Sequence, residues 1–235
     1  MSQAKPGKVG IFTMTRDRLD FTKKSLPSMW TKAGAKYDYW VFDQGSTDGT
    51  LKWLNAAHEA GNIDHIVELG ENKGLHIGMN TAHETLLDAG YSYIVKVDND
   101  IKFKTAYWLK KLLRAYHSLA KGSVVAPRIE NLQFPPVPFA TKRIGGFRMH
   151  FLDIIGGQVR LMPRASIEDF RFNERMPLAW GGDATFANHC EKNSIPMVRA
   201  DDIIAKHMMT DPEQTEHSPT YMKRRVFEAY IPYGV

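Results

Sequence analysis

The chain has 235 residues, which is enough to bury one sizeable core, so a single α/β domain is the default expectation. Its composition, 43% hydrophobic and 24% charged, is ordinary for a globular domain, and no apolar run approaches the roughly 20 residues that cross a bilayer. The net charge of +5 favours an acidic partner such as a nucleotide diphosphate, an anionic membrane surface or a nucleic acid. The basic residues are too dispersed for a dedicated DNA-binding module.

The amino-terminal sequence MSQAKPGK lacks the apolar core of a signal peptide. The single cysteine, Cys190, cannot form an internal disulfide, which fits a reducing compartment. We therefore expect a cytoplasmic protein with no integral membrane segment.

Short apolar strands alternate with helices over the first hundred residues. The strands are predicted at 9–14, 39–42, 63–69 and 91–101, and Pro27 is expected to kink or end the first helix. This alternation predicts βαβ units, a mainly parallel sheet and helices on its faces. Ligands of such sheets bind outside the carboxyl ends of the strands.

Polar segments follow these predicted strands. TMTRDR follows the first strand, and DQGSTDGT (43–50) follows the second and is typical of a capped strand-to-helix turn. Asn72 and Lys73 precede a helix whose free N–H groups could bind an anion. The fourth strand ends in Asp98 and Asp100. Because side chains alternate along a strand, both carboxylates should point the same way and could hold a hard divalent cation.

The second half of the chain is less regular. An amphipathic helix is predicted at 105–120 and a strand at 123–126, followed by an extended proline-rich loop at 127–143. The alternating runs FRMHFLD and QVRLMP predict an antiparallel pair or a mixed extension of the sheet. WGGD then leads into a helix through Cys190, and a short strand is expected at 197–200.

Taken in order over about 9–207, these segments resemble the GT-A fold glycosyltransferases of the family-2 type. VGIFTMTRDR resembles the opening strand and donor loop, DQGSTDGT the nucleotide-binding turn, and ENKGLHIGMN the donor-side loop and helix. Asp98, Asn99 and Asp100 resemble the metal-binding Asp-x-Asp, and His207 the late metal-binding histidine. WGGD resembles the acidic motif before the acceptor helix, except that Gly182 stands where that motif has an acidic residue.

The resemblance implies one GT-A, Rossmann-like domain at 1–210, with a mainly parallel central sheet and a smaller mixed or antiparallel extension on the acceptor side. The donor half would span 8–101 and the acceptor half 102–210. A basic and aromatic tail would follow at 211–235.

The resemblance also implies roles for individual residues. A Mn²⁺ or Mg²⁺ ion would be held by Asp98, Asp100 and His207. Asp183 would be the general base of an inverting transfer, although capping of its helix is a strong alternative role. The donor-binding residues would be Thr13, Thr15, Arg16, Asp43, Asn72, Lys73, Asp98 and Asn99. The acceptor-binding residues would be Trp180, Gly181 and Gly182.

The expected function is therefore metal-dependent transfer of a sugar from a nucleotide-diphosphate sugar, with a UDP-sugar as the expected donor. The acceptor would be a saccharide or a lipid-linked sugar, with a polyanion such as modified DNA as the alternative that the positive charge permits. Two other functions stay open. A nucleotidyltransferase acting on a sugar phosphate is disfavoured because TMTRDR contains no glycine, and a non-catalytic nucleotide-sugar-binding module is permitted by Gly182.

Overall fold

The computed structural model describes residues 7–132, 135–175 and 182–208. This part of the chain forms one sheet packed between helices. The elements in chain order are β1 Val9–Thr15, α1 Leu19–Trp30, β2 Asp38–Asp43, α2 Thr50–Glu59, β3 His65–Glu68, α3 Leu75–Asp88, β4 Tyr93–Val97, β5 Ile101–Phe103, α4 Trp108–His117, β6 Val124–Glu130, β7 Ala140–Ile144, β8 Phe147–Leu152, β9 Val159–Pro163, α5 Gly182–Lys192 and β10 Met197–His207.

The strands lie in the order β3-β2-β1-β4-β9-β6-β10-β8-β7, and β5 pairs with the carboxyl end of β10. Strands β1 to β4 are mutually parallel, as helical crossovers between successive strands require. Strand β9 runs antiparallel between β4 and β6, and the β8 and β7 strands extend the sheet as an antiparallel edge. The predicted α/β fold, with a mixed extension after the parallel half, is confirmed.

The sheet is buried on both faces, because neighbouring residues of its central strands enter different hydrophobic clusters. Ile11 packs in the cluster that contains α1 and α4, whereas Phe12 packs in the cluster beneath α3 and α5. Trp108 anchors α4 in the first cluster. Its ring stacks on Phe103 at 4.0 Å, and its indole N–H donates to the carbonyl of Met29 at 2.9 Å.

The strand predicted at 91–101 is shorter than expected. Strand β4 ends at Val97, and residues 98–100 form a turn before β5. The chain leaves the line of β4 because β5 pairs with β10, and the Ile101 N–H is bonded to the Ser25 hydroxyl. The strand-alternation argument for the directions of Asp98 and Asp100 was therefore wrong.

Other boundaries also differ from the sequence predictions. The loop expected at 127–143 is partly strand, because β6 continues through Pro127 and β7 begins at Ala140. Pro127 lies opposite Ala200 at a register shift, where a missing ladder hydrogen bond is tolerated. Beyond that shift β10 continues to His207, well past the predicted end of the strand.

The structure also bears on the predictions for Pro27 and for the two alternating runs. Helix α1 continues past Pro27 to Trp30, so the proline does not end it. The runs FRMHFLD and QVRLMP do not pair with each other. Strand β8 pairs with β7 and β10, while β9 pairs with β4 and β6, which is the mixed-sheet alternative.

Candidate active site

The loops that follow β1, β2 and β4 meet at one edge of the sheet, because parallel neighbours place their carboxyl ends together. Asp43, the last residue of β2, organises the part of this edge that is predicted to bind the donor. Its buried carboxylate accepts hydrogen bonds from the Thr15 hydroxyl at 2.8 Å and from the Ser46 N–H and hydroxyl at 2.9 and 2.5 Å. Thr13 is also buried and accepts a hydrogen bond from the Tyr39 hydroxyl at 2.8 Å.

The loop after β1 is hydrogen-bonded to the loop after β2. Asp17 and Arg18 both have left-handed backbones, with φ of 54° and 64°, which is unfavourable for residues other than glycine. The conformation is held by hydrogen bonds from the Asp17 N–H to the Ser46 hydroxyl at 2.7 Å and from the Thr47 N–H to the Asp17 carboxylate at 2.7 Å. Arg16 is exposed on this loop.

Arg18 extends from the loop after β1 to Asp100. Its guanidinium lies 3.3 Å from Asp100 Oδ2, and His207 Nε2 lies 3.5 Å from the same oxygen. Asp100 is 5% exposed, and its carbonyl accepts the Met208 N–H at 2.9 Å. Its Oδ1 has no hydrogen-bond partner among the residues that the structure describes. These contacts fix the end of β10 against the turn.

The charges around Asp100 decide its ionisation. Burial alone would raise the pKa of Asp100, but the hydrogen bond and charge of His207, with Arg18 and Lys96, hold it below its ordinary value. Burial would lower the pKa of His207, but the bond to Asp100 and the charges of Asp100 and Asp98 raise it above 6.5. In the absence of a metal ion the pair therefore favours a carboxylate beside an imidazolium, and an ion would bind His207 only by displacing this proton.

Asp98 and Asn99 complete the turn. Burial and the charge of Asp100 raise the pKa of Asp98, and its carboxylate is bonded to the Lys96 ammonium, which opposes that rise. Asn99 is buried and donates to the Thr22 hydroxyl at 3.2 Å, which holds the turn against α1.

A metal ion fits part of this arrangement. Within 7–132, 135–175 and 182–208, no group of three or more His, Cys, Asp or Glu side chains forms a ready-made metal site. Asp100 and His207 do converge, and the unpartnered Oδ1 of Asp100 is an oxygen ligand of the kind that Mg²⁺ and Mn²⁺ prefer. These two residues could hold such an ion.

The side of the site that the sequence predicts to bind the acceptor contains Asp183, in the first turn of α5. Its side chain is 44% exposed. Oδ2 accepts the Gly157 N–H at 3.1 Å and Oδ1 accepts a hydrogen bond from Arg160, so these bonds tie Asp183 to β9 and to the turn before it.

The remaining predicted residues are placed as follows. Asn72 accepts the Gly74 N–H at 3.1 Å in the turn before α3, and Lys73 beside it is exposed. Gly182 begins α5, where a Cβ would lie 3.3 Å from His76 Nε2. Trp180 and Gly181 lie outside the described residues, as does the predicted tail.

Three contributing cations were missed in the sequence: Arg18, Lys96 and Arg160. Two of them carried a usable signal, since a lysine within YIVKV and an arginine within VRLMP are charged residues in otherwise apolar strands. Lys96 and Arg160 are 6% and 2% exposed. A buried charge in a strand next to an acidic turn should have been read as part of the site.

Comparison with solved structures shows the same fold in several glycosyltransferases. A mannosyltransferase from Pyrobaculum calidifontis in complex with GDP-Man and Mn²⁺ matches with a TM-score of 0.67 and 13% identity, covering 95% of this chain and 63% of the other. S. aureus TarS 1-349 in complex with UDP-GlcNAc matches with a TM-score of 0.64 and 15% identity, covering 94% and 66%. GalNAc-T7 with UDP, GalNAc and Mn²⁺ has a TM-score of 0.68 and 12% identity, covering 85% and 43%.

These matches mean that the chain spans about two thirds or less of the solved proteins. No curated protein sequence matches it.

None of the helices in the described part of the chain is long and apolar enough to cross a membrane. The family model described as Glycosyl transferase family 2 matches residues 11–182, which is more than half of the sequence. The chain belongs to glycosyl transferase family 2.

Proposed function

We propose that this protein transfers a sugar from a nucleotide-diphosphate sugar to an acceptor hydroxyl. The observation that carries the proposal is the pairing of two different carboxylates at one edge of the sheet. Asp100 is buried beside His207 and Arg18, while Asp183 is half-exposed across the cleft and oriented by Gly157 and Arg160. Family membership and the nucleotide sugars bound in the similar structures support the same activity.

On the donor side, Asp100 and His207 would hold Mn²⁺ or Mg²⁺. When bound, such an ion neutralises the charge that grows on a departing diphosphate. Arg18 is close enough to add a second positive charge, since guanidinium groups bind phosphate in a bidentate manner. The turn organised by Asp43 would bind the nucleoside, with a UDP-sugar as the proposed donor.

On the acceptor side, Asp183 would take the proton from the attacking hydroxyl, giving transfer with inversion. Its exposed fraction leaves part of the carboxylate open to an incoming group. The two hydrogen bonds on its inner side fix the direction in which that part faces. A saccharide or a lipid-linked sugar is the proposed acceptor.

The donor and the metal can be tested together by thermal unfolding of the full chain with UDP, UDP-GlcNAc or GDP-Man, each with and without Mn²⁺. A ligand that binds the native state raises its stability, so we expect one nucleotide sugar to raise the Tm clearly more when Mn²⁺ is present. In Asp100→Ala the Mn²⁺-dependent part of this increase should disappear. An equal increase without Mn²⁺, or in Asp100→Ala, would contradict the metal assignment.

The matched control for this experiment is Asp169→Asn, which changes an exposed acidic residue away from the candidate metal ligands. It should keep the full Mn²⁺-dependent increase. If no nucleotide sugar raises the Tm of the unmodified protein with Mn²⁺ or Mg²⁺, the donor proposal fails.

A further inference from the structure

Two buried cations lie side by side beneath the candidate site. Lys96 on β4 and Arg160 on β9 are direct partners in the antiparallel register, and both are almost fully buried. Like charges opposite each other in a sheet are destabilising, and a buried charge is costly unless it is paired. This pair therefore requires compensating groups, and the structure supplies them from the two sides of the cleft.

The contacts of the pair form a continuous path from the donor turn to the acceptor helix. The Lys96 ammonium contacts the Asp98 carboxylate and the Gly157 carbonyl. The Arg160 guanidinium contacts the Asp183 carboxylate, while its Nε donates to the Gly156 carbonyl at 3.2 Å. The Gly157 N–H closes the path by donating to Asp183 at 3.1 Å.

The packing around Arg160 leaves its head group little freedom. The guanidinium lies 4.6 Å from the centre of the Phe186 ring, on the inner face of α5. Cation–π contact and burial hold the head group in one place, so the carboxylate bonded to it is held as well. Asp183 itself is on the surface of the cleft and has far less packing of its own.

We propose that Lys96 and Arg160 are positioning residues that fix the position of the base Asp183 relative to the donor turn at Asp98. Gly157 connects the two sides, because it is hydrogen-bonded to both Lys96 and Asp183. This inference rests on the proposed function. A base must lie within hydrogen-bond reach of the proton that it takes, and small misplacements cost large factors in rate. Stability alone does not require such a pair, because packed apolar side chains of similar volume often serve a buried site equally well.

Gly157 offers a test that leaves every charge in place. A Cβ on Gly157 would lie 2.7 Å from Asp183 Oδ1, 3.3 Å from Arg160 Nη2 and 3.5 Å from Lys96 Nζ. Its backbone is outside the left-handed region, so alanine is permitted there. Gly157→Ala should therefore displace the Asp183 carboxylate without unfolding the turn.

Gly156→Ala is the matched control. It adds the same methyl group one residue earlier, and the three nearest atoms all belong to the flexible Gln158 side chain. Its backbone is also outside the left-handed region. The two variants thus differ in whether the added methyl presses on the charged path.

The experiment measures hydrolysis of the nucleotide sugar that shows the largest Mn²⁺-dependent rise in Tm, together with Mn²⁺ binding by electron paramagnetic resonance. For Gly157→Ala we expect kcat to fall about tenfold or more, while donor KM and the Kd for Mn²⁺ stay within about twofold. Gly156→Ala leaves the carbonyl that accepts the Arg160 Nε bond in place, so it should lose clearly less kcat than Gly157→Ala. Arg160→Lys, which keeps the charge but shortens its reach, should lose less kcat than Arg160→Met.

The outcomes separate the two proposals. If the unmodified protein hydrolyses the donor and Gly157→Ala is equally fast, the positioning role is wrong while the proposed function stands. Equal losses of kcat in Arg160→Lys and Arg160→Met, with matching losses of Tm, would also overturn the positioning role. Such a result would show that Arg160 acts only by stabilising the fold. If the unmodified protein turns over no nucleotide sugar, the proposed function fails and this inference fails with it.

Discussion

At the scale of residues, the two carboxylates proposed for catalysis differ mainly in their exposure. Asp100 is enclosed by Arg18, His207 and the end of β10, whereas nearly half of the Asp183 side chain faces the cleft. A buried carboxylate beside cations suits a fixed ligand. An open carboxylate held from behind suits a group that must meet a substrate hydroxyl.

The base assignment predicts the behaviour of Asp183→Asn. The amide keeps the size of the side chain but cannot take a proton, so we expect transfer or donor hydrolysis to fall about 10²- to 10⁴-fold. The Mn²⁺-dependent rise in Tm with nucleotide sugar should remain, since the donor side is untouched. Asparagine caps helices as well as aspartate does, so a capping role alone predicts near-normal turnover in this variant, and that result would exclude Asp183 as the base.

A buried histidine predicts the pH dependence of stability. Burial, with the charges of Arg160 and Lys96, lowers the pKa of His83 to about 3, whereas unfolded histidine titrates near 6.5. Between these values the unfolded chain binds the extra proton, so stability falls as the pH drops through this window. By proton linkage, His83 should lower the free energy of unfolding by about 2 kcal/mol when the pH falls from 7.5 to 5.

His83→Phe isolates this contribution. Neither ring nitrogen has a hydrogen-bond partner, and the ring lies among Phe12, Phe170 and Phe172, so an apolar ring forfeits no hydrogen bond there. Urea unfolding at the two pH values should show a pH-dependent loss about 2 kcal/mol smaller in the variant than in the unmodified protein. Equal losses in both proteins would show that His83 does not titrate in this window.

The sequence analysis identified the acidic residues of the candidate site but not its basic residues. Asp98, Asp100 and Asp183 each follow or precede a recognisable local motif. The opposition of Lys96 and Arg160 depends on a strand register that joins residues 64 positions apart, so no local pattern contains it. Arg18 was missed for a related reason, since its backbone conformation is set by hydrogen bonds from the next loop.

At the scale of elements, strand β9 separates what the sequence could predict from what it could not. Alternating strands and helices correctly predicted that β1 to β4 are parallel, because local periodicity determines those units. The position of β9 between β4 and β6 is a choice among pairings that alternation cannot distinguish. The same limit explains why FRMHFLD and QVRLMP were not assigned to separate partners.

The reversed direction of β9 places its starting end at the same edge of the sheet as the ends of β4 and β6. Gly156 and Gly157, just before this strand, are thereby delivered beside Asp98. A parallel strand in this position would have brought its last residues there instead. The acceptor side of the site depends on this one reversal.

At the scale of the whole molecule, the net charge of +5 bears on the choice of acceptor. Binding to a nucleic acid backbone releases counterions and weakens steeply with salt, by about 10³-fold or more between 50 and 200 mM for a protein with several phosphate contacts. Transfer to a saccharide carries no such penalty.

Transfer from the selected donor can therefore be compared on an oligosaccharide, a lipid-linked sugar and duplex DNA at 50 and 200 mM salt. We expect product on a sugar acceptor, with a rate that changes less than about threefold over this range, because exposed charges contribute little to binding a neutral ligand. Product on DNA alone, with a rate that falls steeply over the same range, would replace the saccharide with a polyanion as the acceptor.

Because β9 and β10 lie between earlier strands in the sheet, their late synthesis determines when the candidate site can form during translation. Lys96 and Asp98 leave the ribosome well before Arg160 and Asp183, and the strand that carries His207 comes later still. Parallel and non-local pairings form slowly because long loops must close first. A nascent chain that ends near residue 150 would thus leave unpaired the edges of β4, β6 and β8 that face β9 and β10, so competence to bind donor should arise only after the strand that carries His207 has been made.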